Sequence, residues 1–360
     1  MNKRIVLTGG GSAGHVVVNL ALIPALEEEG WDIAYIGSET GIERDLLSDF
    51  PRVRYHAIPT GKFRRARTWE NIRRNLGDVG HVLSGVAEAR RVLQRERPQV
   101  VFSKGGFVSV PVVLAARRLG IPVITHESDR TPGLANKIII PFVKRILLTF
   151  ERTADFVPRD KAYYLGPIIR QQMQGGSARE GLIRFGLDGK KPVLLVVGGS
   201  LGAAKLNRLV WQNLDPLLKQ FDIVHSVGAG KGDSQMERPG YVQVDYIRAG
   251  MNDALAMADV VVSRAGSNAI FEFLYYQKPM LLIPYKVGSR GDQVENAEEF
   301  ERAGYAKVLD ETSVTSDQFL AAVRDLLENG ERYREAMRHF TFRDGVQDIL
   351  EILEIYRLQD

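Results

Sequence analysis

The sequence predicts an α/β fold in which two parallel β-sheets, each covered by helices, follow one another along the chain. Short apolar runs alternate with longer amphipathic segments through the first half, and the alternation restarts after residues 166–170. Such alternation is typical of parallel sheets buried on both faces. Each half also opens with an apolar run that leads into a glycine-rich turn. The length of 360 residues exceeds what one compact core usually holds, so two domains are expected.

Apolar runs bounded by turn residues predict the strands of both sheets. In the first half these runs are RIVLT (4–8), DIAYIG (32–37), VRYHAI (53–58), VVFS (100–103), PVITHE (122–127) and RILLTF (145–150). In the second half they are VLLVVGG (193–199), FDIVHSVG (221–228), YVQVDYI (241–247), DVVVSRAG (259–266) and PMLLIPY (279–285). Helical segments lie between most of these runs, the first from about Gly14 to Glu29.

The restart of the pattern places the domain boundary at Gly166. We expect an N-terminal Rossmann-like domain over 1–166 and a C-terminal one over 167–342. A helix is expected near the C-terminus, over about 343–360, and we expect it to pack back on the N-terminal domain. Its apolar residues recur at helical spacing on one face: Val346, Ile349, Leu350 and Leu353.

Composition excludes several classes of site and of location. The chain contains no cysteine, which excludes disulfides, cysteine–zinc sites and thiol nucleophiles. No apolar stretch approaches the ~18 residues that a spanning helix needs, and no secretory signal is visible, so the cytoplasm is expected. The six histidines and the acids form no H-x-x-x-H or D-x-D pattern on a loop, so no metal site is predicted.

Positive charge is concentrated in one segment, residues 62–97. The net charge is +4, but this segment alone holds ten Lys/Arg against four Asp/Glu. Lys62, Arg64, Arg65 and Arg67 precede an aromatic and aliphatic face, which suits docking on an anionic membrane surface. A solvated charged helix is the alternative. Nucleic acid is not an expected partner, because no RNA- or DNA-binding module pattern is visible.

The glycine turns predict phosphate or substrate binding. In both halves a strand leads into a glycine loop (Gly9–Gly14 and Gly198–Ala203) and then a helix, whose N-terminus offers unpaired N–H groups to an anion. The first loop matches G-x-G-x-x-G, but an acid at the end of the second strand is needed for NAD, and Glu39 lies beyond that end. Close packing of helix on strand is the structural alternative.

Six collinear motifs resemble those of the MurG family. They are LTGGGSAGHVVVNLAL near the N-terminus, FSKGGFVSVPVVLAA (102–116), THESDRTPGLANK (125–137), VVGGSLGAAKLN (196–207), SRAGSNAIFEFL (263–274) and GSRGDQVENA (288–297). The resemblance implies the GT-B architecture, an α/β fold of two Rossmann-like domains with parallel sheets facing across a cleft. It also implies inverting transfer of GlcNAc from UDP-GlcNAc to the MurNAc C4 hydroxyl of undecaprenyl-diphospho-MurNAc-pentapeptide (lipid I), forming lipid II in peptidoglycan synthesis. The family acts without a cofactor, as a peripheral protein on the cytoplasmic face of the plasma membrane.

By the same resemblance, donor-site residues lie in the second half. The loop at Ser200 would hold donor phosphate or nucleotide, and Arg170 would face the diphosphate, although an ion pair between domains is an alternative for the arginine. The backbone of Ile247 would read the uracil edge. Glu272 would accept the ribose hydroxyls, and Gln293 would bind the GlcNAc hydroxyls or cap a helix.

The acceptor side would lie in the first half. An inverting transfer needs a base, and His15, beside the first glycine loop, is the candidate because histidine titrates near neutral pH. Glu127 is the rival base, with His126 beside it at the end of a strand, and Asp129 is expected to bind substrate. Backbone of the first loop would also line the substrate site, at Ser12, Ala13 and Gly14.

Three other functions remain open at this stage. The first is a GT-B glycosyltransferase that uses a UDP-sugar with a different lipid or small-molecule acceptor, although the motifs of the first half favour lipid I. An NAD-dependent oxidoreductase is disfavoured by the missing ribose acid. A silent binding protein is disfavoured because five candidate site residues occur together: His15, Arg170, Ser200, Glu272 and Gln293.

Overall fold

The computed structural model of the chain describes residues 3–11, 13–60, 69–199, 202–247, 249–286 and 291–358. Side chains are described in the same ranges, except at 13 and 69–81. The chain divides into two compact units. The first comprises Met1–Arg170 and Arg343–Asp360, and the second comprises Gln171–Phe342.

The first unit is built on a parallel sheet that has seven strands in the described part of the chain, in the order β3-β2-β1-β4-β5-β6-β7. The strands are β1 (Arg4–Thr8), β2 (Asp32–Ser38), β3 (Arg54–Ile58), β4 (Val100–Ser103), β5 (Val123–Glu127), β6 (Arg145–Leu148) and β7 (Ala162–Tyr164). The six predicted strands are confirmed to within two residues at each end. The strand β7 was missed because its three residues, AYY, are too few to give a periodic signal.

Helices cover both faces of this sheet. They are α1 (Val17–Glu28), α2 (Ile42–Leu46), α3 (Trp69–Glu96), α4 (Ser109–Arg118) and α5 (Leu134–Ile139). The helix α14 (Gly345–Arg357), near the C-terminus of the chain, also packs on this unit. The side chain of Asp344 caps α14 by accepting the backbone N–H of Gln347 at 3.1 Å. The cap therefore sets where this last helix begins.

Side chains alternate between two apolar cores, one on each face of the first sheet. Val6 of β1 belongs to a core shared with α3 and α4, whereas Ile5 and Leu7 belong to a core shared with α1 and α14. Ile349, Leu350 and Leu353 of α14 are buried in this second core. Burying one such side chain contributes about 1.5–3 kcal/mol, so apolar packing holds α14 on the first unit.

The second unit repeats the architecture with a parallel sheet of order β10-β9-β8-β11-β12-β13 over its described residues. Its strands are β8 (Val193–Val197), β9 (Asp222–Ser226), β10 (Tyr241–Val244), β11 (Val260–Ser263), β12 (Met280–Leu282) and β13 (Ala306–Val308). Its helices are α6 (Ala178–Phe185), α7 (Ala204–Gln212), α8 (Leu214–Leu218), α9 (Met251–Met257), α10 (Ser267–Tyr275), α11 (Asp292–Arg302), α12 (Ser316–Glu328) and α13 (Gly330–Arg338). The five predicted strands are present, and β13 was not predicted.

Both sheets are doubly wound, so each has a point where the strand order reverses. In the first sheet this switch point lies between β1 and β4, and in the second it lies between β8 and β11. Open α/β sheets bind ligands beyond the carboxyl ends of the strands that flank such a point. The loops that follow these four strands are therefore the places to look for a site. All four carry motifs that the sequence analysis singled out.

Candidate functional site

In the first unit the loops after β1 and β4 lie in close contact at the switch point. A Cβ atom added to Gly106 would come within 2.3 Å of the carbonyl oxygen of Gly10, and one added to Gly9 would come within 3.1 Å of Cβ of Lys104. Gly106 also has a φ of 83°, which favours glycine. Glycine is thus required at position 106, where the backbones of the two loops touch.

Hydrogen bonds from buried polar side chains of α1 and β2 hold the first glycine loop in place. Tyr35 donates its hydroxyl to the carbonyl of Gly9 at 2.7 Å, and Asn19 donates both to this hydroxyl and to the carbonyl of Thr8, each at 3.1 Å. On its other side, Gly11 donates its N–H to the carboxylate of Glu43 at 3.3 Å. The loop is therefore anchored within its own unit.

The predicted acceptor residues follow this loop directly. Ala13–His15 form a short 3-10 turn before α1, and a Cβ atom on Gly9 would approach the carbonyl of His15 to 2.3 Å. The turn that carries Gly14 and His15 therefore rests against the anchored loop. As a residue His15 is partly exposed, although its Nδ1 atom is buried. Ser12 lies outside the described residues.

The rival base, Glu127, has both carboxylate oxygens in use. Its Oε1 accepts the N–H of Asp129 at 3.0 Å, while Oε2 accepts the N–H of Gly133 at 2.9 Å and Nδ2 of Asn136 at 2.8 Å. Glu127 is also buried. Its position indicates that the carboxylate shapes the loop after β5 and holds Asp129 at the sheet edge.

His126 is buried beside Glu127 and bonds to Thr149, whose Oγ1 lies 3.2 Å from its Nε2. Burial, together with the nearby ammonium of Lys104, holds the pKa of His126 well below its usual range. This histidine is therefore neutral at physiological pH. His126 is buried at the carboxyl edge of the first sheet, whereas His15 is the more exposed of the two residues.

Lys104 is a residue of this site that the sequence analysis did not single out. It directly follows β4 at the switch point, is buried, and donates from Nζ to Oγ of Ser128 at 2.9 Å. Burial lowers its pKa, and the carboxylates of Glu127 and Asp129 act in the opposite direction. Its side chain extends from beside Gly9 of the first glycine loop to Ser128 in the loop after β5. Its place in the FSKGG motif was visible in the sequence, but its burial was not.

In the second unit, the glycine loop after β8 lies close to the loop after β9. A Cβ atom on Gly202 would come within 2.1 Å of the carbonyl oxygen of Val227, and Gly202 has a φ of 66°. Asn207 of α7 donates to the same carbonyl at 2.8 Å. These contacts join the two loops that flank the start of α7. Ser200 lies outside the described residues.

Glu272 lies on α10, the helix that follows the loop after β11. Its side chain is buried rather than exposed on the helix surface, as its residue exposure of 8% shows. In the preceding loop, Arg264 donates to the carbonyl of Ile283 at 2.8 Å and forms a buried ion pair with Glu311. The arginine also stacks over the ring of Tyr285, with 5.5 Å between its Cζ and the ring centroid. The loops after β11 and β12 are thereby fixed together.

Gln293 does not cap its own helix. Its Oε1 accepts the N–H of Tyr285 at 3.0 Å, so the side chain links α11 to the loop after β12. The amide oxygen of Gln293 is therefore used in this hydrogen bond. Ile247, after β10, has a buried side chain, which agrees with a role for its backbone rather than its side chain. Arg170 is partly buried and is the last residue of the first segment of unit one.

The structure thus collects the predicted residues at the carboxyl edges of two sheets. His15, Glu127 and Asp129 lie on the first unit, and Ile247, Glu272 and Gln293 lie on the second. Within the described ranges, no cluster of three or more acidic or histidine side chains is arranged to hold a metal ion. None of the helices in the described part of the chain is long and apolar enough to cross a membrane.

The glycosyltransferase family 28 N-terminal domain matches residues 5–148, and the family's C-terminal domain matches residues 193–351. A crystal structure of Acinetobacter baumannii MurG shares the fold with a TM-score of 0.75, at 23% identity over 98% of this chain and 99% of that one.

Two curated relatives carry the same name, UDP-N-acetylglucosamine–N-acetylmuramyl-(pentapeptide) pyrophosphoryl-undecaprenol N-acetylglucosamine transferase. The relative from Geobacillus thermodenitrificans is 51% identical over 98% of this chain and 99% of its own length. The relative from Staphylococcus aureus strain MRSA252 is 46% identical over 94% of each chain. The likeness therefore extends over both units.

Proposed function

Because the chain belongs to the MurG family, within glycosyltransferase family 28, we propose that it transfers GlcNAc from UDP-GlcNAc to the MurNAc C4 hydroxyl of lipid I. The product is lipid II, joined by a β1,4 bond with inversion at the donor carbon, and the step belongs to peptidoglycan synthesis. The observation that carries this proposal is the 51% identity over 98% of the chain to a relative named for that transfer.

Most of the donor-binding residues in this proposal lie in the second unit, whereas Arg170 is the last residue of the first segment of the first unit. Glu272 accepts the ribose hydroxyls, because a carboxylate accepts hydrogen bonds from hydroxyl groups and this one lies on α10, the helix that follows the loop after β11. The backbone of Ile247 reads uracil, Arg170 and the Ser200 loop bind the diphosphate, and the amide nitrogen of Gln293 faces the sugar. The burial of Glu272 and of the Ile247 side chain supports these roles.

The first unit binds the acceptor and removes its proton. His15 is the base, because it rests on an anchored loop at the switch point, and imidazole accepts a proton at neutral pH. Glu127 serves as a positioning residue, since its two oxygens already accept three hydrogen bonds. The backbone of Ser12, Ala13 and Gly14 lines the site together with Asp129.

The leaving group needs no metal or cofactor in this scheme. Transfer releases UDP, whose diphosphate gains negative charge as the bond to the sugar breaks. The start of α7 supplies N–H donors and the positive end of its helix dipole, which stabilise this charge. These groups act on the transition state, where the charge develops.

We further propose that the first unit docks on the cytoplasmic face of the plasma membrane. The basic segment 62–97 carries this idea, and two of its arginines, Arg90 and Arg91, are exposed on α3. A second feature adds to it: Ile138 and Phe142 are exposed, and residues 137–144 contain two lysines and no acid. Apolar side chains among cations suit an anionic lipid surface.

Release of UDP tests the proposal. Purified protein is given UDP-GlcNAc with a soluble lipid I analogue, and parallel reactions omit the analogue or replace the donor with UDP-glucose or UDP-GalNAc. We expect release that depends on the acceptor and is fastest with UDP-GlcNAc. Binding of UDP-GlcNAc without acceptor-dependent release would instead support a glycosyltransferase with a different lipid or small-molecule acceptor.

A further inference from the structure

Glu43 is a fully buried carboxylate that no part of the proposed chemistry uses. It lies on α2, in the connection after β2, and its Oε1 accepts the N–H of Ser38 at 2.8 Å and the hydroxyl of Ser38 at 2.5 Å. Its Oε2 accepts the N–H of Gly11 in the first glycine loop at 3.3 Å. An acid buried this completely is unusual unless it is bonded on both oxygens.

The backbone around this carboxylate is built to its shape. A Cβ atom added to Gly10 would come within 2.5 Å of the Glu43 carboxylate, and one added to Gly41 would come within 2.2 Å. Both glycines therefore make room for an internal anion. The protein's own carboxylate thus lies against Gly10 on the β2 side of the first glycine loop.

The hydrogen bond between Gly11 and Glu43 also restrains the turn that follows the first glycine loop. Gly9 is held by Tyr35 at one end of the loop, and Gly11 is held by Glu43 at the other. The turn that follows ends at His15, whose carbonyl lies so close to Gly9 that a Cβ atom there would approach it to 2.3 Å. A displacement of the loop would consequently displace the His15 turn.

We propose that Glu43 is a positioning residue for the acceptor reaction, because its carboxylate fixes the first glycine loop and thereby the His15 turn. This inference rests on the proposed function for its kinetic consequence. Misplacement of a reacting group by about 1 Å can reduce a rate by about 100-fold. Loosening the loop is expected to act on the acceptor half of the reaction. Donor binding, assigned mostly to the second unit, is expected to stay as it is.

The test variant is Glu43→Gln, which keeps the shape but replaces one acceptor oxygen by an amide donor facing N–H or O–H groups. Its matched control is Glu96→Gln. Glu96 also accepts bonds from several side chains, Arg54 and His56, but it lies at the amino-terminal edge of the same sheet. For both variants, kcat and acceptor KM are measured with UDP-GlcNAc and the lipid I analogue, and UDP-GlcNAc binding is measured by calorimetry.

We expect Glu43→Gln to lower acceptor kcat/KM by at least tenfold, with donor Kd within twofold of wild type and Glu96→Gln close to wild type. Acceptor kinetics within twofold of wild type in Glu43→Gln would overturn the inference. Equal losses in donor binding and acceptor kinetics would also overturn it, since they would indicate a general folding defect. If Glu43→Gln does not fold, Ser38→Ala removes one of the hydrogen bonds to the carboxylate and is expected to act in the same direction, more weakly.

A second measurement separates this inference from the proposed function. If wild-type protein does not use the lipid I analogue, the proposed function fails and the kinetic test has no substrate. Hydrogen–deuterium exchange then decides the positioning role by itself. We expect the amides of residues 9–11 to exchange faster in Glu43→Gln than in wild type or Glu96→Gln. Equal exchange rates in all three proteins would contradict it.

Discussion

Tyr241 donates its hydroxyl hydrogen to Nδ1 of His225 across 2.8 Å, within a buried chain of hydrogen bonds in the second unit. The direction follows from Asn207, whose Oδ1 can only accept, so the proton of the neutral imidazole lies on Nε2 and Nδ1 accepts; Trp211 donates from Nε1 to the same hydroxyl at 2.8 Å. His225 then donates from Nε2 to Oδ1 of Asn207 at 3.1 Å, and Asn207 donates to the carbonyl of Val227. The carbonyl oxygen of Val227 lies close to Gly202, so this series of hydrogen bonds ends at the second glycine loop.

The neutral state of His225 predicts a loss of stability in acid. Burial lowers the pKa of His225 to about 3, against 6.5 in the unfolded chain. Below pH 6.5 the unfolded state binds a proton that the folded state does not, so the free energy of unfolding falls as the pH drops from 6.5 towards 3. We expect His225 to reduce stability by roughly 2 kcal/mol between pH 7 and pH 5, measured by denaturant unfolding of the second unit.

His225→Gln isolates this contribution. The variant removes the titrating group, so its stability should fall less steeply with acid than that of wild type. His339→Gln is the control, because His339 is an exposed histidine of the same unit. Parallel pH dependence in wild type and His225→Gln would show that His225 titrates normally and would contradict the hydrogen-bonding scheme.

Removal of the Glu272 carboxylate should weaken donor binding without unfolding the protein. Hydrogen bonds to a charged group contribute about 1.5–3 kcal/mol, so Glu272→Ala should raise the UDP-GlcNAc Kd by roughly 10- to 100-fold. Calorimetric titration measures this change, and a thermal melt checks the fold. Glu298→Ala, at an exposed glutamate of α11, serves as control. Unchanged donor affinity in Glu272→Ala would rule out the ribose contact.

The two candidate bases should respond differently to substitution. His15→Ala should lower kcat by about 10²- to 10⁴-fold, which is the usual contribution of a general base. Glu127→Gln places an amide donor against N–H groups, so we expect a loss of about 1–3 kcal/mol in stability. At a temperature where Glu127→Gln is folded, its kcat should lie within tenfold of wild type. A larger loss in Glu127→Gln than in His15→Ala would assign the base to Glu127.

Membrane docking should depend on charge. Sedimentation with liposomes that contain anionic lipid should show binding that weakens as salt rises, because screening shortens the range of the attraction. Neutralising Arg64, Arg65 and Arg67 to glutamine should weaken binding further. Liposomes of neutral lipid provide the control. Binding that is insensitive to both salt and these substitutions would remove electrostatic docking from the account.

Much of the fold could be predicted from the sequence, because buried parallel strands are continuous apolar runs. The strand β8, VLLVV, is buried along its whole length and was predicted within two residues of its observed end. The strand β13, AKV, has three residues and a lysine in its middle, so no pattern identified it. Short edge strands of this kind are defined by pairing with a neighbour, which a single sequence does not show.

The site could be predicted only where its residues lie next to a motif. His15 lies beside the first glycine turn, and Glu272 lies in the SRAGSNAIFEFL motif, so position and family resemblance suggested them. Glu43 approaches Gly11 from 32 positions away in the chain. Arg264 and Glu311 are separated by 47 positions. Such partners depend on how helices and loops return to the sheet edge, and spacing along the chain does not reveal them. Burial likewise distinguishes Glu127 and Lys104 from surface charges.

The identity of the product tests the central claim most directly. Wild-type protein is incubated with isotopically labelled UDP-GlcNAc and a soluble lipid I analogue, and the product is purified and analysed by mass spectrometry and NMR. The account predicts one product that has gained a single GlcNAc, β-linked to C4 of MurNAc, and none without the acceptor. Attachment of the sugar elsewhere, an α linkage, or no MurNAc-linked disaccharide despite UDP-GlcNAc binding would contradict it.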